Sequence, residues 1–104
     1  MRLRHDPGRN VLLFELAEGS GRWIEMPATI DVGEGGRLLG IEAPGLGDSP
    51  LGGPFYLAVS EAAGLSRSAA AQVRAEVDGD GRVLAIELAR RGPGYEISWP
   101  SGNR

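Results

Sequence analysis

The chain of 104 residues contains no cysteine. That absence removes disulfides, thiolate zinc sites, iron–sulfur clusters and thiol catalysis together. Lysine is missing too: all eleven basic residues are arginine, and fourteen acidic residues leave a formal charge of −3. Such a balance provides weak solubilising repulsion and no cationic field, so nucleic acid is not an expected partner. A single histidine confines imidazole chemistry to one position. No apolar run approaches the ~20 residues that cross a bilayer, and the N-terminus lacks the apolar stretch of a signal peptide. The expectation is no membrane partner and, for want of an export signal, a cytoplasmic location.

Glycine is abundant, at 17 residues, and is accompanied by seven prolines. Without a Gly-X-Y period these residues read as turns. A hydrophobic fraction of 41% sits near the lower edge of globular usage, and a charged fraction of 24% is ordinary.

The organising feature is an internal repeat. Shifted by 45 residues, Val11–Glu42 lies on Tyr56–Glu87 without a gap, and ten of the 32 positions are identical. The matches cluster where "DVGEGGRLLGIEA" (Asp31–Ala43) meets "EVDGDGRVLAIEL" (Glu76–Leu88). Repetition at this period marks stacked or symmetric units, and two copies suit an internal pseudo-dimer better than a solenoid. Within each copy the apolar period is two. Leu12 and Phe14 share a face, as do Ile30 with Val32 and Leu39 with Ile41. The glycines of "GEGG" and "DGDG" permit the positive φ angles of tight reversals, so each quoted stretch is a β-hairpin.

"GRWIEMP" reads as a short strand stopped by Pro27, whereas its partner "SRSAAAQVRAEV" is ambiguous. Ser66 or Ser68 would cap a helix over residues 66–74, and three alanines favour one. Yet Val73, Ala75 and Val77 keep the alternation of Ala28, Ile30 and Val32, so strand is the reading and the short helix its alternative. "MRLRH" predicts a strand ended by the turn Asp6–Gly8, and "GYEISW" a last strand with Tyr95, Ile97 and Trp99 on one face. The expected class is mainly β: antiparallel hairpins in two pseudo-symmetric repeats packed as one domain, with α+β as the alternative. Residues 1–43 form the first unit, 44–54 a Gly/Pro-rich linker, 55–99 the second unit and 100–104 a tail.

The opening "RLRHDPGRNVLLFEL", followed by "TIDVGEGGRLLGIE", resembles the small prokaryotic family DUF2283. The matching positions are His5-Asp6-Pro7, Leu12 to Leu16, and then Asp31, Gly36, Arg37, Leu39, Gly40, Ile41 and Glu42. The likeness covers residues 1–43 and reaches 56–88 only through the repeat, where the Asp-Pro opening is absent and Ala85 stands for Gly40. It implies a fold and no chemistry. Family members are usually single-copy, so a tandem version implies a fused dimer.

Candidate sites are few. His5 and Asp6 are the one adjacent acid–base pair, although Asp6 also suits the start of an Asp-Pro turn. Glu42 and Glu87 occupy the same step of the repeated strand. Brought together, two carboxylates would raise one pKa and form an acid/base pair; otherwise they face solvent or pair with Arg37 and Arg82. Trp23, Tyr56, Tyr95 and Trp99 offer a stacking platform or, more in keeping with the charge, aromatic anchors at an interface. "DGDG" has too few oxygen ligands for calcium, and "GDSP" lacks a nucleophile elbow, so no metal or cofactor is expected. The leading expectation is a non-enzymatic assembly or interaction domain that binds itself or another protein. The alternatives are a ligand-binding or acid/base site between the repeats, using Glu42, Glu87 and His5, and a weak nucleic-acid-associated regulator.

Overall fold

A computed structural model describes residues 1–47, 52–60 and 64–98. The protein is mainly β and antiparallel. Its strands are β1 (Arg2–Asp6), β2 (Val11–Glu15), β3 (Arg22–Gly33), β4 (Leu38–Glu42), β5 (Tyr56–Ala58), β6 (Leu65–Val77), β7 (Val83–Ala89), β8 (Arg91–Gly92) and β9 (Tyr95–Glu96). Among the described residues the only helical geometry is two 3-10 turns, Glu34–Gly36 and Pro44–Leu46. None of the helices is long and apolar enough to cross a membrane.

Two compact units divide the chain: Met1–Met26 with Gln72–Ala89, and Pro27–Ala71 with Arg90–Arg104. The long strands β3 and β6 each contribute to both, so each unit draws on both copies of the repeat.

In the first unit the strand order is β1-β2-β7-β6-β3. Its core is a set of cross-strand rows. Leu12 lies opposite Leu88, which lies opposite Val73; Phe14 lies opposite Ile86, which lies opposite Ala75. All six are buried. The pleat sends these side chains to one face and Leu13, Arg74 and Glu87 to the other. On β7 the whole run Leu84–Leu88 is buried, so both faces of that strand are covered. Glu87 is the one charged residue in the run.

The second unit has the order β6-β3-β4-β5, with Ile30, Ile41 and Leu57 forming its buried row. A small hairpin of β8 and β9 pairs Arg91 with Glu96. It is tethered by the Ile97 N–H donating to the Arg90 carbonyl and the Ser98 N–H to the Gly36 carbonyl.

The two predicted hairpins share one register. Thr29 faces Glu42 and Arg74 faces Glu87; Val32 faces Leu38 and Val77 faces Val83. Each ladder slips once, between Asp31 and Val32 and between Glu76 and Val77, at equivalent steps. Both turns close alike, with Gly33 N–H donating to the Arg37 carbonyl (2.7 Å) and Asp78 N–H to the Arg82 carbonyl (3.0 Å). They are built from different chemistry. The first places Gly35 and Gly36 at φ of 75° and 83°, a region where a Cβ is strained. The second uses Asp78, whose Oδ1 accepts from the N–H groups of Asp80 and Arg82, each at 2.9 Å.

Each hairpin is flanked by a strand from the other copy: β2 pairs with β7, and β5 with β4. These flanking registers differ by two residues. Leu12 opposite Leu88 would call for Leu57 opposite Ala43, and Leu57 is opposite Ile41.

Three expectations are corrected. Pro27 does not stop the strand: β3 runs through it, because the exposed ring sits outside the β3·β4 ladder, which begins at Thr29, and its fixed φ suits extended backbone. The alternative helix over 66–74 is part of β6, where Val73 and Ala75 are buried at alternate positions and override the alanine propensity. The last strand is shorter than "GYEISW", since β9 covers only Tyr95–Glu96; Tyr95 and Ile97 are buried, and Trp99 lies outside the described residues.

Candidate functional site

The most developed polar constellation surrounds Glu87 in the first unit. Its neighbours across β7 are Leu13 and Arg74, and the Arg74 Nη1 donates to Oε1 at 2.9 Å. The second guanidinium comes from the turn between β1 and β2. There Asp6 Oδ1 accepts from the N–H groups of Gly8 (3.0 Å) and Arg9 (3.3 Å), which fixes the backbone that carries Arg9. From that turn Arg9 grips Glu87 with two bonds of 2.9 Å, Nη1 to Oε2 and Nη2 to Oε1. Parallel charge-assisted bonds of this kind are the strong, directional form of an ion pair.

Burial alone pushes the Glu87 carboxyl up. Hydrogen bonds from Arg9 and Arg74, together with their charges, outweigh it and hold the group below the usual carboxylate range. In return, the hydrogen bond and charge of Glu87 raise the Arg9 guanidinium. The carboxylate is 9% exposed, whereas the Arg9 and Arg74 side chains are 55% and 45% exposed. Solvent therefore meets guanidinium, with the anion beneath it. The Arg74 guanidinium also lies 5.0 Å from the ring centroid of Trp23, an exposed residue on β3. His5 Nε2 stands 3.2 Å from Asn10 Oδ1, and Arg4, His5, Asp6, Arg9, Leu13 and Glu87 help to line an open recess of about 430 Å³.

In the second unit Glu42 lies between Thr29 and Tyr56 on the neighbouring strands. The Tyr56 hydroxyl donates to Asp31 Oδ2 (3.0 Å), and the Ser68 hydroxyl donates to Asp31 Oδ1 (2.8 Å). Partial burial raises the Tyr56 phenol, and the Asp31 hydrogen bond and the Asp31 and Glu42 charges raise it further. The ring lies across Gly40, where a Cβ would meet its hydroxyl end, so any larger residue at this step would make the exposed tyrosine swing aside.

The glutamates thus sit in separate units, Glu42 in the second and Glu87 in the first. The arginines on Glu87 are Arg9 and Arg74 instead of the expected Arg82, which stands exposed beyond its turn. Arg37 donates its Nε–H to Ser60 Oγ at 2.8 Å. Of the aromatics, Trp23 belongs to the first unit and Tyr56 and Tyr95 to the second; Tyr95 is buried, which raises its phenol. The "GDSP" serine, Ser49, lies outside the described residues. Sequence reading missed Arg9, Arg74, Asp31 and Ser68. Counting back from the "DGDG" turn pairs Arg74 with Ile86; the slip between Glu76 and Val77 moves it opposite Glu87, and no sequence signal marks that slip. No local pattern joins Arg9 to a residue 78 positions away.

Comparison with protein-family models, with curated proteins and with solved structures gives no match.

Proposed function

We propose that the protein is a non-enzymatic assembly domain whose partner is a second copy of the chain. The observation that carries this reading is the surface above Glu87. Two half-exposed guanidinium groups and an exposed tryptophan are held in place by a carboxylate sunk beneath them. Arginine and tryptophan are the residues that dominate binding energy at protein interfaces, and anchors already fixed lose less freedom on docking. Four carboxylates fit the same reading, because they serve as tethers. Asp6 and Asp78 hold turns, Asp31 holds Tyr56 and Ser68, and Glu87 holds two arginines.

Acid/base chemistry through Glu42, Glu87 and His5 asks for a carboxyl raised toward neutrality. The Glu87 group is lowered and both its oxygens are taken. The resemblance of residues 1–43 to DUF2283 belongs to the same proposal. Two hairpins of equal register, each flanked by a strand of the other copy, suit a tandem form of a unit that pairs as separate single-copy chains.

Sedimentation equilibrium from low micromolar to near-millimolar concentration tests the reading. The weight-average mass is expected to climb from the 11.0 kDa of one chain toward a multiple of it. A mass that stays at the single-chain value throughout contradicts self-assembly.

A further inference from the structure

The outward faces of the two hairpins have parted in chemistry although their registers agree. The first unit presents Arg9 and Arg74 over the sunken Glu87, with Trp23 37% exposed beside them. In the second unit Glu42 holds the position equivalent to Glu87, but Thr29 replaces Arg74, and Tyr56 stands across the flanking strand where Leu13 lies opposite Glu87. Among the described residues Glu42 forms no ion pair. Asp31, Glu42 and Tyr56, the last 45% exposed, make this face anionic and aromatic, with no arginine from the paired stretches of β3, β4 and β5.

We propose that the Arg9–Arg74–Trp23 face of one chain binds the Asp31–Glu42–Tyr56 face of a second copy, head to tail. This rests on the assembly reading above and names the surfaces that carry it. Charge complementarity selects the unlike pairing, because two arginine faces would oppose guanidinium to guanidinium and two acidic faces carboxylate to carboxylate. Glu87 fixes the arginine forks from below while leaving both side chains about half exposed, so donors remain turned toward a docking carboxylate. Neither carboxylate of the other face has an arginine of its own; Asp31 accepts from Tyr56 and Ser68, and Glu42 forms no ion pair among the described residues. The contact is heterologous: each chain offers one face of each kind, and the pairing closes into a ring or continues as a filament according to the rotation between chains.

Complementation between two variants tests this. Trp23→Ala damages the arginine face and leaves the acidic face whole. Glu42→Arg does the reverse. Each variant alone is expected to self-associate about tenfold or more weakly than wild type. An equimolar mixture is expected to recover a heterodimer of twice the chain mass by light scattering, because one intact face of each kind remains. Raised salt is expected to weaken wild-type assembly. Far-ultraviolet circular dichroism checks the fold, and Glu42→Gln takes the place of Glu42→Arg if charge reversal unfolds the chain. A mixture no more associated than the separate variants overturns the proposal. So does wild-type-like assembly of the Glu42 variant. A wild-type chain that stays monomeric overturns the assembly reading itself, whereas assembly indifferent to both substitutions overturns only these surfaces.

Discussion

Phe14→Ala is expected to lower the unfolding free energy by about 3–5 kcal/mol, the range for emptying a buried aromatic site. A chain of this size has only about 5–10 kcal/mol of total stability, so the variant should sit close to unfolding at room temperature. The magnitude follows from position. Phe14 is fully buried and lies in the row with Ile86 and Ala75, and alanine is too small to fill the space the ring would leave. Its partner Ile86 is held in a strand already covered on both faces, so the site has little freedom to collapse. Urea denaturation of wild type and variant measures the loss. A change under about 1.5 kcal/mol would mean that the row Phe14–Ile86–Ala75 is not the packed centre of the first unit.

The second large effect is at Glu87. Replacing it by alanine is expected to cost about 2 kcal/mol at neutral pH, below the ~3–5 kcal/mol of breaking a fully buried ion pair. The smaller figure applies because the arginines left behind are about half exposed and regain water. The same residue gives the fold an acid limb. Its folded-state pKa lies below the ordinary glutamate value of 4.5. Its contribution is therefore complete above that value and is lost as pH falls through the lower folded-state value. Chemical denaturation across the acid range should show wild type losing stability faster than Glu87→Gln, with the gap between them narrowing as pH drops. Parallel acid limbs would mean that the carboxylate is not engaged by its arginines.

Much of the architecture was legible because it is written in short-range grammar. The two hairpins and the equivalence of Asp31–Ala43 with Glu76–Leu88 follow from glycine-rich turns and a period of two, but the expected face of Leu39 with Ile41 does not: the ladder skips Leu39 and buries Leu38 with Ile41 instead. The repeat also resolved residues 66–74 correctly against their alanine content, since strand pairing supplies what local propensity does not. Pro27 misled because a proline is excluded from a strand only where its missing N–H is needed. The crossing of β2 onto β7 and β5 onto β4 is a long-range choice that no window of sequence encodes.

The site was legible in its carboxylate and not in its cations. Glu87 was singled out by the repeat, but its partners come from a turn and a neighbouring strand, and only the ladder register brings them together. Two identical residues in equivalent places, Glu42 and Glu87, thereby acquire different surroundings. One is clamped and sunk under arginine; the other stands beside threonine and tyrosine. In the proposed pairing, this difference in flanking residues is what makes the two faces complementary.

In the proposed assembly the Glu87 carboxylate is a tether that presents Arg9 and Arg74, and not an acid that exchanges protons. Carbon-13 NMR titration of the glutamate side chains tests this most directly, with Glu87→Gln used to assign the resonance. The Glu87 signal is expected to titrate below 4.5, the ordinary glutamate value. A midpoint raised toward neutrality would contradict the tether and make this recess the place to look for catalysis.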